Sequence, residues 1–309
     1  MSSIDHISPS PQFAGMSVAA IPPPAVVDRP QHKRQQLKWI EPGRITRCRL
    51  LSNREQVYYL YVPQTIRHPG TLFVSVHGIS RNAKEHARYF AAYAEKQGVV
   101  MLVPRFDRGQ DYGRHYQRLK ADISGTSAAD VLNQIIHETD RRLAMHTDRL
   151  YLFGFSGGGQ FVHRYLMAYP ERVVRAAIGA AGWYTFPDLA VRYPRGLKPN
   201  PKYPHSLCFP ACLSIPVLVV VGESDRQRDP ALNRSARIDR QQGLNRVERA
   251  QRWIAAMQKA AQDSGMDRVH QLQLLPATGH DFYQAMTQGQ AGDAVWTFLF
   301  NEGFFIEED

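Results

Sequence analysis

Hydrophobic residues are concentrated in short runs along the chain, and longer segments of mixed polarity separate them. The apolar runs lie at 71–76, 98–103, 149–154, 173–181, 216–221 and 269–275. Nearly continuous apolar runs are typical of strands buried on both faces of a parallel sheet. The predicted helices lie between or after them, at 83–96, 131–143, 159–169, 245–264 and 293–300. This alternation predicts the α/β class, with a mainly parallel central sheet and helices on both of its faces.

Three segments fall outside this alternation. Residues 45–62 have the pattern of a β-hairpin, because two strand-like runs flank a turn-like Ser-Asn-Arg sequence. Residues 1–40 are rich in proline and serine, and we predict a disordered extension there before a single domain at 41–309. Residues 183–215 contain many prolines and little periodicity. We predict that they form a small lid, with a disordered insertion as the alternative.

Composition narrows the classes of function. Hydrophobic residues make up 43% of the chain, which is enough for a substantial core. The formal net charge is +10, but the basic residues are scattered and no nucleic-acid-binding motif is present. We therefore expect a solvated basic surface and no nucleic-acid partner. The three cysteines, Cys48, Cys208 and Cys212, have the spacing of neither a disulfide framework nor a metal site, and we expect no metal.

The chain has no apolar run of the length that crosses a bilayer, so we expect no membrane span. The mildly apolar stretch 13–21 follows no basic segment, and prolines come directly after it. This is a poor match to a secretory signal. The pattern predicts a cytoplasmic location.

The clearest chemical motif is Gly-Phe-Ser-Gly-Gly at 154–158, which follows an apolar strand and precedes a predicted helix. In that context the motif indicates a sharp turn that exposes Ser156 above the edge of the sheet as a nucleophile. Glycines are needed there so that strand and helix can approach closely. A glycine-rich turn that serves packing alone is the alternative.

A serine hydroxyl needs a neighbouring base, and that base needs an acceptor that orients it. His280 follows the last predicted strand and comes directly after a glycine. Asp225 follows the preceding strand, and Glu223 and Asp229 compete with it as the acid. The chain order of serine, aspartate and histidine is the order that this type of fold requires. We therefore predict Ser156, Asp225 and His280 as a catalytic triad.

An oxyanion hole is expected where the early strand at 71–76 ends in His-Gly-Ile. We predict that the backbone N–H groups of Ile79 and Gly157 form it, because acyl-transfer enzymes use such donors. We expect His77 to brace this loop rather than to act as the base.

Together these motifs resemble the α/β-hydrolases over about 45–300, in the order Val-x-Val-His-Gly, Gly-Phe-Ser-Gly-Gly-Gly, Gly-Glu-Ser-Asp and Gly-His-Asp. Within that family, the chain is similar to the compact serine esterases grouped with polyhydroxyalkanoate depolymerases and feruloyl esterases. The resemblance implies a carboxylesterase that acts on a small-molecule or oligomeric ester without a cofactor. A peptidase or amidase that uses the same triad is one alternative. A non-catalytic binding protein of this fold is the other.

Two segments that follow strands are expected to overhang Ser156, because α/β sheets bind ligands at that edge. In them, we predict that arginines pair with a carboxylate of the substrate and that aromatic residues form the walls of the pocket. The arginines are Arg105, Arg108 and Arg114, and the aromatic residues are Tyr112, Tyr116, Trp183 and Tyr184. Alternatively, the arginines are solvated and the aromatic residues pack the loops.

Overall fold

One sheet of eight strands organises the part of the chain that the computed structural model describes, residues 40–106, 115–266 and 270–300. The strands are β1 (Ile45–Arg49), β2 (Val57–Tyr61), β3 (Thr71–Val76), β4 (Val100–Arg105), β5 (Arg149–Phe155), β6 (Val173–Gly179), β7 (Val217–Gly222) and β8 (Gln271–Leu275). Their order in the sheet is β1-β2-β4-β3-β5-β6-β7-β8. β2 is antiparallel to both of its neighbours, and all other neighbouring strands are parallel. The predicted hairpin is therefore the antiparallel edge of a mainly parallel sheet.

Helices alternate with the parallel strands and cover both faces of the sheet. They are α1 (Ala83–Gln97), α2 (Ala128–Leu143), α3 (Gly157–Ala168), α4 (Phe209–Cys212), α5 (Ala236–Gln242), α6 (Arg246–Asp263), α7 (Phe282–Thr287) and α8 (Ala291–Phe300). Ser127 begins α2 with a reciprocal capping box, in which its side chain accepts from the Asp130 N–H group and the Asp130 carboxylate accepts from the Ser127 N–H group. Gly98 ends α1 in the left-handed conformation. The predicted α/β fold class is confirmed.

The central strands are buried along their whole length. Every residue of β3 and β7 is buried, as the apolar runs predicted. On one face of the sheet, the Phe73 ring lies 5.1 Å from Phe90 of α1 and 5.0 Å from Trp296 of α8. Burial of aromatic side chains is among the largest stabilising contributions in a core. This packing fixes the strand ends at which the polar residues of the site lie.

The predicted lid segment, residues 183–215, is mostly irregular but makes specific contacts with the core. The Trp253 indole donates to the Thr185 carbonyl at 2.8 Å, and the Tyr193 hydroxyl donates to the Arg118 carbonyl at 2.7 Å. Trp253 belongs to α6, and Arg118 ends a short 3-10 turn at Tyr116–Arg118. These bonds hold the segment against two parts of the domain. The lid role stays a prediction.

The sequence also led to predictions about the N-terminal extension, membrane-spanning helices, metal sites and the cysteines. The extension predicted at 1–40 lies outside the described residues except for Ile40. Across the described ranges, no helix is both long and apolar enough to cross a membrane. The same ranges contain no cluster of three or more histidine, cysteine or acidic side chains arranged to hold a metal ion. Cys48, Cys208 and Cys212 are all free thiols.

Candidate active site

Ser156, His280 and Asp225 meet at the carboxyl edge of the sheet. The Ser156 Oγ lies 3.0 Å from His280 Nε2, and His280 Nδ1 lies 2.7 Å from Asp225 Oδ2. Ser156 follows β5, Asp225 follows β7, and His280 follows β8, so three loops at the same sheet edge supply the three side chains. With Nδ1 as the donor to Asp225, Nε2 accepts from the serine hydroxyl. The structure therefore joins the three predicted residues in one hydrogen-bonded relay.

The turn at Ser156 is strained, as the glycine-rich motif predicted. Ser156 has φ 55° and ψ −111°, which is an unfavourable conformation for a residue with a side chain. Its N–H group donates to the Gly179 carbonyl at 2.7 Å. A Cβ atom on Gly158 would lie only 1.9 Å from the Val76 carbonyl oxygen, and one on Gly154 only 2.3 Å from the Gly158 carbonyl oxygen. Glycine at these positions lets α3 begin directly against the strand ends.

The two predicted oxyanion donors lie on backbone segments that meet beside Ser156. Gly157 is the first residue of α3, so its N–H group has no acceptor within the helix. Gly78, next to Ile79, approaches so closely that a Cβ atom on it would lie 3.3 Å from the Ser156 Cβ. The Ile79 side chain in turn lies 3.2 Å from the position of a Cβ atom on Gly157. This placement is compatible with the predicted role of the two N–H groups, which stays a prediction.

His77 and Tyr116 brace the loop that carries Ile79. The buried His77 accepts from the Phe106 N–H group at Nε2, over 2.9 Å, and its Nδ1 lies 2.6 Å from the Gly78 carbonyl oxygen. The Tyr116 hydroxyl donates to the His77 carbonyl at 3.2 Å. Tyr116 is fully buried, and this burial raises the pKa of its hydroxyl. The prediction that Tyr116 lines the pocket does not fit this position, because its ring packs inside the domain.

Arg246 forms an ion pair with the Asp225 oxygen that does not contact His280. The sequence patterns did not single out this arginine. Arg246 Nη1 lies 3.0 Å from Asp225 Oδ1 and 2.5 Å from Asp229 Oδ2. Arg246 and Asp225 are only 1% and 2% exposed. Either charge would be strongly destabilising at this position without the other. Glu223 is exposed. Among the three acidic candidates, Asp225 is therefore the one that contacts His280, and Asp229 lies behind it on the shared arginine.

A cavity of about 260 Å³ opens beside Ser156. Its described lining residues are Ile79, Gln117, Arg118, Ser156, Gln160, Gly182, Trp183, Ala231, Leu232, Asn233, Arg234 and Arg246. Three of these residues are arginines, and none is acidic. A second cavity, of about 470 Å³, lies on the His280 side and is lined by Asp225 and Asp229 among other residues. The relay therefore stands between a basic and an acidic cavity.

Of the other predicted pocket residues, Trp183 is the one that the structure places at the cavity. The Arg164 guanidinium lies 4.3 Å from the centre of its ring, and that of Arg118 lies 5.5 Å away. Tyr184 is fully buried and stacks on Trp253 at 4.8 Å, so the prediction that it forms a pocket wall does not fit. Arg105, which ends β4, is not among the described residues that line the cavity. Arg108, Tyr112 and Arg114 lie outside the described residues.

Comparisons with known proteins agree with this architecture. A poly(aspartic acid) hydrolase from Sphingomonas sp. KT-1 superposes with a TM-score of 0.67 at 25% identity, over 78% of this chain and 93% of that one. A poly(3-hydroxybutyrate) depolymerase from Bordetella parapertussis gives 0.68 at 24% identity, over 84% and 90%. The chain has the α/β-hydrolase fold. Its predicted resemblance to the esterases of this superfamily is confirmed.

Among curated proteins, the chain is similar to a bifunctional acetylxylan esterase/xylanase from Neocallimastix patriciarum. The two are 26% identical over 121 residues, which is 38% of this chain and 17% of that longer protein. No protein-family model matches the chain. The curated relative is therefore matched over only a small part of its length.

The close contact at Gly158 predicts a large effect of one added methyl group. In Gly158→Ala, the new Cβ would collide with the Val76 carbonyl, so α3 would have to move away from β3. We expect the free energy of unfolding, measured by urea titration, to fall by about 1–3 kcal/mol. Gly279→Ala is the matched control, since its Cβ would meet nothing nearer than 3.5 Å. Equal unfolding midpoints for the two variants would contradict the packing described here.

The pairing of Asp229 with Arg246 predicts a pH-dependent contribution to stability. Burial alone would raise the pKa of Asp229, but the hydrogen bond and charge of Arg246 lower it from 3.8 to about 2. The ionised group therefore stabilises the folded state fully above pH 3.8, and this contribution is lost as the pH falls towards 2. In Asp229→Asn, we expect a loss of about 1–2 kcal/mol in the unfolding free energy at pH 6.

The measurement for this variant is the unfolding free energy of parent and Asp229→Asn at a series of pH values from 6 to about 3. The difference between the two proteins should shrink below about pH 4. Asp263→Asn is the control, because Asp263 forms an exposed surface pair with Lys259. A difference that stays constant over this pH range would show that Asp229 does not act through its charge.

Proposed function

We propose that this α/β-hydrolase is a serine esterase that cleaves carboxylic esters through an acyl-enzyme intermediate. The observation that carries the proposal is the continuous relay from Ser156 through His280 to Asp225, with Ser156 at the mouth of a cavity. A serine, a histidine and an aspartate in this geometry activate the hydroxyl for attack on an acyl carbon.

In the proposed mechanism, Ser156 Oγ attacks the ester carbonyl while His280 Nε2 takes the hydroxyl proton. The N–H groups of Ile79 and Gly157 stabilise the negative oxygen of the tetrahedral intermediate. The N-terminus of α3 favours the same charge. His280 then gives the proton to the departing alcohol, and a water activated by His280 releases the acid from Ser156.

Asp225 stabilises the imidazolium form of His280 during both steps. It keeps Nδ1 protonated, so that Nε2 faces the serine. Arg246 holds the other Asp225 oxygen and fixes the plane of the carboxylate. The buried ion pair therefore orients the base through the acid.

Two of the three named relatives support an ester as the substrate. The curated relative is an acetylxylan esterase/xylanase, and the Bordetella protein is a poly(3-hydroxybutyrate) depolymerase. We infer that the substrate of this chain is a small-molecule or oligomeric ester. The cavity beside Ser156 would hold part of this substrate. The cytoplasmic location stays a prediction from the sequence.

The experiment that tests this function is a chain-length series of p-nitrophenyl esters at neutral pH, run beside matched p-nitroanilide amides. We expect ester hydrolysis, and we expect Ser156→Ala to lower kcat by roughly 10⁴ or more, because the variant has no nucleophile. Faster cleavage of the amides would indicate the amidase or peptidase alternative. The absence of turnover with either series would favour a non-catalytic binding protein.

The role of the acid has its own test. Asp225→Asn should lower kcat by about 10⁴, because the amide favours the wrong tautomer of His280. Glu223→Gln removes a neighbouring exposed carboxylate and serves as the control, with a much smaller effect. If Glu223→Gln reduced kcat as strongly, the acid of the relay would have to be reassigned.

A further inference from the structure

The two cavities beside the relay differ in charge. The cavity at Ser156 is lined by Arg118, Arg234 and Arg246 and by no acidic residue among those that the structure describes. The cavity at His280 is lined by Asp225 and Asp229. Ester substrates place their acyl and alcohol parts on opposite sides of the attacked carbon, so one part has to lie on the basic side.

The charge of Arg246 is already compensated, because it pairs with both Asp225 and Asp229. Arg118 and Arg234 differ in this respect, since neither forms an ion pair with a described residue. Arg118 is half-buried, and its Nε atom is buried without a hydrogen-bond partner in the described structure. The basic cavity therefore has two arginine side chains free to pair with a ligand.

A third arginine adds positive charge behind the cavity wall. Arg164 is fully buried, and its guanidinium donates to the Thr185 hydroxyl and to the carbonyls of Gln117 and Gln160, all of them neutral groups. Burial lowers its pKa to about 10, so it remains charged at neutral pH. Burying a charge without a counter-ion is costly.

Arg164 and Arg118 both lie over the ring of Trp183, at the cavity wall. The two like charges therefore lie 5.5 Å and 4.3 Å from the centre of the same ring, and neither forms an ion pair with a carboxylate of a described residue. Their mutual repulsion would be relieved by a negative group in the cavity, where the low dielectric strengthens the attraction.

We propose that the cavity beside Ser156 selects esters that carry a carboxylate, and that Arg118 and Arg234 bind this carboxylate. The inference rests on the proposed esterase function and adds the class of substrate. The sequence had placed this role on Arg105, Arg108 and Arg114. Arg118 is well suited to the role because it lines the cavity, its guanidinium lies over the Trp183 ring, and it forms no ion pair with a described residue.

The test compares kcat/KM for two pairs of chromogenic or ultraviolet-absorbing esters. One pair is mono-4-nitrophenyl adipate and its methyl ester, which places the carboxylate on the acyl side. The other is 3-acetoxybenzoate and its methyl ester, which places it on the alcohol side. We expect the parent enzyme to prefer the anionic member of one pair by roughly 10-fold or more, because a charge-assisted hydrogen bond exceeds one tenfold step in binding.

Arg118→Gln and Arg234→Gln should each reduce this preference, and Arg237→Gln should retain it. Arg237 is an exposed arginine on α5 that does not line the described cavity, so it controls for the loss of one positive charge. Turnover of the neutral esters without any preference for the anionic ones would overturn the inference and leave the esterase function standing. The inference would also be overturned if Arg237→Gln reduced the preference as much as Arg118→Gln and Arg234→Gln do, since general surface charge would then be the cause.

Failure of the esterase function itself is recognised separately. If no ester is turned over, binding of 3-acetoxybenzoate and its methyl ester to the parent protein is measured by calorimetry. If the anion binds more tightly than its methyl ester, and Arg118→Gln weakens this binding, the proposed carboxylate site is supported even though the esterase function is not. Equal binding of the two compounds, or no binding, would overturn the site as well.

Discussion

The close approach of helix α3 to the ends of strands β3 and β5 is the constraint on which the rest of the site depends. Gly158 lies against the Val76 carbonyl with no room for a side chain, and Ser156 must adopt a positive φ for the chain to turn there. The turn directs Oγ towards His280 and places the Gly157 N–H group at the start of the helix. The position of the serine and its electrostatic surroundings therefore follow from one backbone contact.

Buried charge is the second determinant of the site. Asp225 can remain at the inner end of the relay because Arg246 and His280 occupy its two oxygens. Asp229 shares the same arginine from the more exposed side. This leaves Arg246 balanced, whereas Arg118 and Arg164 near Trp183 lack a carboxylate among the described residues. The difference explains why one side of the relay is basic.

Much of this architecture could be predicted from the sequence, because its signals are local. Apolar runs mark buried strands, and the residues at the ends of parallel strands share one edge, which is why Ser156, Asp225 and His280 meet. Arg246, Arg118 and Arg234 were missed, because their positions depend on distant contacts that leave no spacing pattern. Tyr116 and Tyr184 were predicted as pocket walls, but an aromatic residue in a loop has the same pattern whether it faces a cavity or packs behind it.

The assignment of Ser156 as the nucleophile is tested by treating the folded protein with a fluorophosphonate probe and mapping the modified residue by peptide mass spectrometry. We expect a single covalent adduct on the Ser156 peptide, because the relay raises the reactivity of this hydroxyl above that of other serines. An adduct on a different residue, or no adduct in protein shown to be folded by circular dichroism, would contradict it.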